Sequence, residues 1–149
     1  MSIGQIIDNK ILWAIVASGL STQLLKAFAS IIWEGRLNWH RTLEPGGMPS
    51  SHAASAATLL LMVGYQAGFN SLLFTVCLYI AFVVMYDAAG VRRAVGKQAI
   101  LLNRILSMRT LQKRTGGAHL KELLGHTPVE VFVGALIGIA WALFFHYVA

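Results

Sequence analysis

Apolar positions gather into long blocks separated by short polar, glycine-marked breaks, and the block lengths decide the fold class. The first block runs from about Ile11 to Trp33, with Trp13 and Trp33 near its two ends as interfacial anchors are. The second starts near Ser50 and ends near Gly68, the third covers about Leu72 to Met85, and the last runs from about Thr127 to Tyr147. From Ala53 to Tyr86 there are 34 residues without a formal charge. A single span needs ~20 apolar residues, so this stretch is long enough for two short spans. Gly68-Phe69-Asn70-Ser71 supplies the turn between them.

Between the third and last blocks the texture changes. Arg93, Lys97, Ile100 and Arg104 follow i, i+4, i+7, i+11 spacing, which draws a mostly basic stripe on a helix over Val91 to Arg114. Such a helix lies on a bilayer surface and is drawn to anionic lipids. Thr115-Gly116-Gly117-Ala118-His119 breaks it. The expected fold is therefore all-α: a polytopic membrane bundle of about four transmembrane helices plus one amphipathic interfacial helix. A short basic helix between spans gives no reason to expect a nucleic-acid partner.

Composition agrees. Of 149 residues, 56% are apolar and 12% charged, about half the ~25% charged share of a soluble domain. By length, residues 1–149 read as one integral-membrane domain. Cys77 sits mid-span, where a small buried hydrophobe is its expected role. Met1 to Asn9 holds no basic residue, so the start does not read as a cleaved signal. Eight of the twelve Lys and Arg residues lie between Arg92 and Lys121, which predicts a cytoplasmic loop there. With four spans, the Glu34–Pro49 loop then falls on the same cytoplasmic face of the cell membrane.

Two histidines occupy matching positions, each where a glycine-marked loop turns into an apolar helix: Pro49-Ser50-Ser51-His52 and Gly125-His126-Thr127-Pro128-Val129-Glu130. Helix N-termini carry unpaired N–H groups and the positive end of the dipole, which suits an anion. Glu130 inside a span is costly without a partner, and its i, i+4 spacing puts it on the helical face of His126. Lys26 interrupts the first block. It either faces a cavity or snorkels to headgroups, and the sequence leaves both open. Asp87 lies close to Arg92 and Arg93, as a structural ion pair would. His40, His119 and His146 lack a comparable context and are expected to be interfacial or solvated. Ser50 and Ser51 are also helix-capping residues, a role compatible with anion binding. Gly134 and Gly138 form a Gly-x-x-x-Gly pattern for close packing, inside the bundle or across a dimer.

These motifs resemble those of the type 2 phosphatidic acid phosphatase superfamily. Its second signature is similar to Pro49-Ser50-Ser51-His52, with Ser51 in the place of a glycine. Its third is similar to His126-Thr127-Pro128-Val129-Glu130 followed by Gly134-Ala135, with Glu130 in the place of an aspartate. From Gly46 onward the chain resembles a divergent, largely uncharacterised branch of that superfamily. The resemblance implies a lipid phosphate or diphosphate hydrolase with no metal cofactor. In it, His126 is the nucleophile, Glu130 fixes its tautomer, and His52 donates a proton to the departing alcohol and then activates water. Ser50, Ser51 and backbone N–H groups around Gly46-Gly47 hold phosphoryl oxygens.

The sequence departs from the pattern in its cations. No Arg-Pro is present, Lys26 is too far from Arg36 and Arg41 for the first signature, and Leu120 stands where the third signature carries arginine. Arg92, Arg93, Lys26 and Arg41 are the replacement set proposed from sequence. Two further readings stand beside the hydrolase: a lipid-headgroup binder or scaffold that keeps the fold with a reduced catalytic set, and a metal site built from His52, His126, Glu130 and Asp87.

Overall fold

The computed structural model describes residues 3–39, 42, 46–107, 120 and 125–148. Its elements are all helical: α1 (Ile3–Ile7), α2 (Lys10–Glu34), α3 (Ser51–Ala67), α4 (Leu72–Ala89), α5 (Val91–Leu106) and α6 (Pro128–Tyr147). Four of the five long helices, all but α5, begin where the sequence offers a side-chain oxygen to the orphan N–H groups. Asn9, Ser50, Ser71 and Thr127 accept from Leu12, Ala53, Phe74 and Glu130 respectively. The α2 and α6 helices and the α4–α5 stretch are long and apolar enough to cross a membrane. With the 17-residue α3 they make a helical membrane bundle.

Helix α3 is central, packing against α2, α4 and α6. Its contact with α6 is set by backbone, not by large side chains. A side-chain carbon on Gly134 would strike the backbone of Ser50, and one on Gly138 the backbone of Ala54. The Thr58 hydroxyl then donates to the Gly138 carbonyl at 3.0 Å. The Gly-x-x-x-Gly pattern is thus consumed inside the chain. On α2 the buried face reads Ala14, Ser18, Thr22, Lys26 and Ser30 at four-residue spacing, so its small and polar side turns inward. Trp141 of α6 closes that face by donating from Nε1 to Ser21 Oγ at 2.8 Å.

Helix α4 runs four residues beyond the expected end, to Ala89, and only Gly90 separates it from α5. The basic stripe Arg93, Lys97, Ile100 and Arg104 is exposed, whereas Gly96, Ala99 and Asn103 are buried. Asn103 brackets the Leu120 backbone, donating to its carbonyl at 2.8 Å and accepting from its N–H at 2.9 Å. The expected continuation of this helix to Arg114 and the 115–119 break lie outside the described residues.

Candidate active site

Three backbone links bring the two histidine motifs to one end of the bundle. Gly46 and Gly125 pair as an isolated parallel bridge. The Ser50 N–H donates to the Glu130 carbonyl at 3.1 Å, joining the cap of α3 to the first turn of α6. The His126 N–H donates to the Ala88 carbonyl at 2.9 Å, joining that turn to the end of α4. Gly125 is required here twice over. It has φ +87°, and a side-chain carbon would overlap the Arg92–Arg93 backbone.

The result is a facing pair of imidazoles. The ring centroids of His52 and His126 are 6.5 Å apart, inclined at 58°. His126 is 2% exposed, whereas His52 is exposed at the first turn of α3. Glu130 Oε2 lies 3.1 Å from His126 Nδ1 and also accepts the Thr127 N–H at 3.1 Å. Thr127 Oγ1 accepts the Glu130 N–H in return, at 3.3 Å, so a reciprocal capping box locks the carboxylate. With Nδ1–H donating to Glu130, the lone pair of His126 is on Nε2. That atom is buried and makes no hydrogen bond among the described residues. The Gly47 carbonyl faces the same ring. Burial pushes the His126 imidazole below its usual value, an effect partly offset by the Glu130 hydrogen bond. The residue is therefore neutral at neutral pH.

Cations flank the pair. Lys26, 4% exposed on α2, is a charged neighbour of both histidines, and Arg92 is one of His52. Arg92 Nε is bonded to Asp87 Oδ2 at 2.6 Å. Ser51 Oγ, beside His52, accepts from Gln23 Nε2 at 3.3 Å.

A family model described as Divergent PAP2 family matches residues 7–141. The chain belongs to that family. The membrane protein YuiD of Bacillus subtilis (strain 168), itself uncharacterized, is 34% identical over 154 aligned positions, spanning 96% of this chain and 98% of that one. No solved structure matches.

In this divergent PAP2 chain the residues singled out from sequence fall into three groups. His52, His126, Glu130, Ser51, Lys26 and Arg92 come together at one end of the bundle. Ser50 is fully buried, and its hydroxyl accepts the Ala53 N–H, so it caps α3. Arg93 is exposed, and its backbone, against Gly125, is the part that meets the site loop. Arg41 and Lys121 lie outside the described residues, as do His40 and His119. Among the described residues no three His, Cys, Asp or Glu side chains gather as metal ligands do, so the metal alternative built on His52, His126, Glu130 and Asp87 lacks a ligand set. Sequence reasoning missed Gln23. Its signal was the inward polar face of α2, where Ser18, Thr22, Lys26 and Ser30 recur every four residues and Gln23 sits beside it.

Proposed function

We propose that the protein is a membrane phosphatase that hydrolyses a lipid phosphate or diphosphate through a phosphohistidine. One observation carries the reading: His126 has Nδ1 fixed by Glu130 and an Nε2 that makes no hydrogen bond among the described residues, with a second imidazole 6.5 Å away. Nε2 attacks phosphorus, forming the N–P bond as the P–O bond to the alcohol breaks. His52 gives its proton to the departing oxygen. His52 then takes a proton from water, the water oxygen attacks phosphorus, and the N–P bond breaks to release inorganic phosphate and restore His126. The growing positive charge on His126 is balanced by Glu130. Lys26 and Arg92 neutralise the phosphoryl oxygens, replacing the arginines that the wider superfamily pattern carries. The site loops are proposed to face the cytoplasm, following the concentration of Lys and Arg between Arg92 and Lys121.

The experiment is phosphate release from a panel of lipid phosphates by purified protein, with the His126→Ala variant beside it. Release that disappears in the variant supports the mechanism, and release unchanged in the variant contradicts it. The covered Nε2 also favours a second reading, a headgroup binder without turnover. Binding of anionic lipid by both proteins, with no release from any lipid in the panel, selects that second reading.

A further inference from the structure

Helix α5 presents three separate arcs. Gly96, Ala99 and Asn103 fall together on one side, and these are its buried residues. Arg93, Lys97 and Arg104 form a second row, exposed and about 100° round from the first. Val91, Val95, Leu101, Leu102 and Ile105 make a third arc about 120° wide, and all five are exposed. Gln98 is the one polar residue within it. The protein thus covers only the small arc, and the apolar and basic arcs stay open. Helix α5 contains no acidic residue, and among the described residues no ion pair joins Arg93, Lys97 or Arg104 to a carboxylate. The row therefore keeps its whole positive charge.

The place of α5 follows from α4. The 18 residues of α4 span about 27 Å at ~1.5 Å each, close to the ~30 Å of bilayer hydrocarbon. A chain that crosses in α4 leaves the hydrocarbon near Ala89, so the break at Gly90 starts α5 at the boundary. An apolar arc turned to acyl chains, with cations turned to headgroups, fits a surface of anionic lipid. Their attraction reaches about 8 Å at physiological salt. A second copy docked through the same face would bring an identical cationic row against this one, so charge disfavours it.

Two links tie α5 to the histidine site. The Arg92–Arg93 backbone packs on Gly125, the residue before His126, so closely that no side-chain carbon fits between them. Asn103, on the inward arc, holds both backbone groups of Leu120. Helix α5 therefore grips the segment leading into His126 at two points.

We infer that α5 is a docking surface for an anionic bilayer, and that docking steadies the turn carrying His126. The partner is the lipid surface as a whole, separate from any molecule bound at the histidines. The inference does not depend on turnover.

The test is amide hydrogen exchange read by mass spectrometry, using the full-length protein in nanodiscs. One set of discs is phosphatidylcholine alone. The other is equal parts phosphatidylcholine and phosphatidylglycerol, a diester with no phosphate monoester to hydrolyse. Exchange across Val91–Leu106 and across Gly125–Glu130 is expected to slow several-fold in the mixed discs. Salt at about 1 M, where the screening length is ~3 Å, should remove that difference. Lys97→Gln combined with Arg104→Gln, both exposed positions, should shrink it. The salt series on the wild type makes the same comparison if the double variant fails to fold. Equal exchange in the two lipids overturns the inference, as does slowing that survives ~1 M salt. Slowing that follows the number of protein copies per disc, whatever the lipid, overturns it in favour of a copy-to-copy contact. Slowing confined to Val91–Leu106 supports the docking surface and overturns its link to His126.

Discussion

Asp87 and Arg92 are joined at 2.6 Å across the Gly90 break, so one ion pair staples the end of α4 to the start of α5. The contact is made through Nε, the nitrogen whose use leaves the guanidinium fork for another anion. Asp87 is also a charged neighbour of His52. It thereby holds Arg92 where a phosphoryl group bound at His52 would meet it.

Asp87→Asn is accordingly expected to weaken substrate binding more than it weakens the fold. The pair is partly exposed, and such pairs contribute only about 0–1 kcal/mol to stability. Thermal unfolding should therefore barely change while KM for a lipid phosphate rises several-fold. Arg92→Ala should raise it further and also lower kcat. Equal loss of stability and affinity in Asp87→Asn would make the pair purely structural.

The state of His126 predicts a pH profile. Its folded value is depressed by burial, so the acid limb of kcat/KM that reports His126 should lie below 6.5, the usual histidine value. Stability follows the same sign. The unfolded chain takes up the proton first as pH drops, so the contribution of a neutral His126 is complete above about 6.5 and is lost toward the folded value. Glu130→Gln removes the carboxylate that favours protonation, which moves the acid limb to still lower pH. It also loosens the tautomer, so the rate should fall by roughly 10² or more. An acid limb at or above the usual value would contradict the burial argument.

The α3–α6 crossing is expected to be intolerant of side chains. Gly138→Leu would force the helices apart at Ala54 and break the Thr58 bond to the Gly138 carbonyl, costing about 1–3 kcal/mol. Ile139→Leu, on the neighbouring outward position, is the control and should leave unfolding in detergent unchanged. Equal melting of the two variants would show that the close approach is not needed.

Much of this architecture is legible in the sequence because block length and capping chemistry act locally. The Ser50, Ser71 and Thr127 caps, the Gly68–Ser71 turn and the Val91 start of the amphipathic helix are each written within a few residues. The pairing of Glu130 with His126 is legible for the same reason, being set by helical spacing. What spacing does not reveal is which side of a span faces inward when the partners come from distant helices. Lys26 left two readings open because its depth depends on α3 and α6, and the structure buries it beside both histidines. Gln23 is not legible in the same way, because its partner Ser51 belongs to another helix. Ser50 matched an anion-binding motif, yet Gly134 and Ala53 claim its backbone and hydroxyl. The destination of Gly134 and Gly138 was likewise open, since one pattern serves a neighbouring helix or a second chain equally well.

The most direct measurement is a rapid acid-quench of purified protein mixed with a phosphorus-labelled lipid phosphate, followed by identification of the phosphorylated atom. The account predicts an acid-labile, base-stable phosphohistidine at His126, linked through Nε2, that is absent from His126→Ala. Phosphate release at full rate with no phosphorylated His126, or with the phosphoryl group on His52, would contradict it.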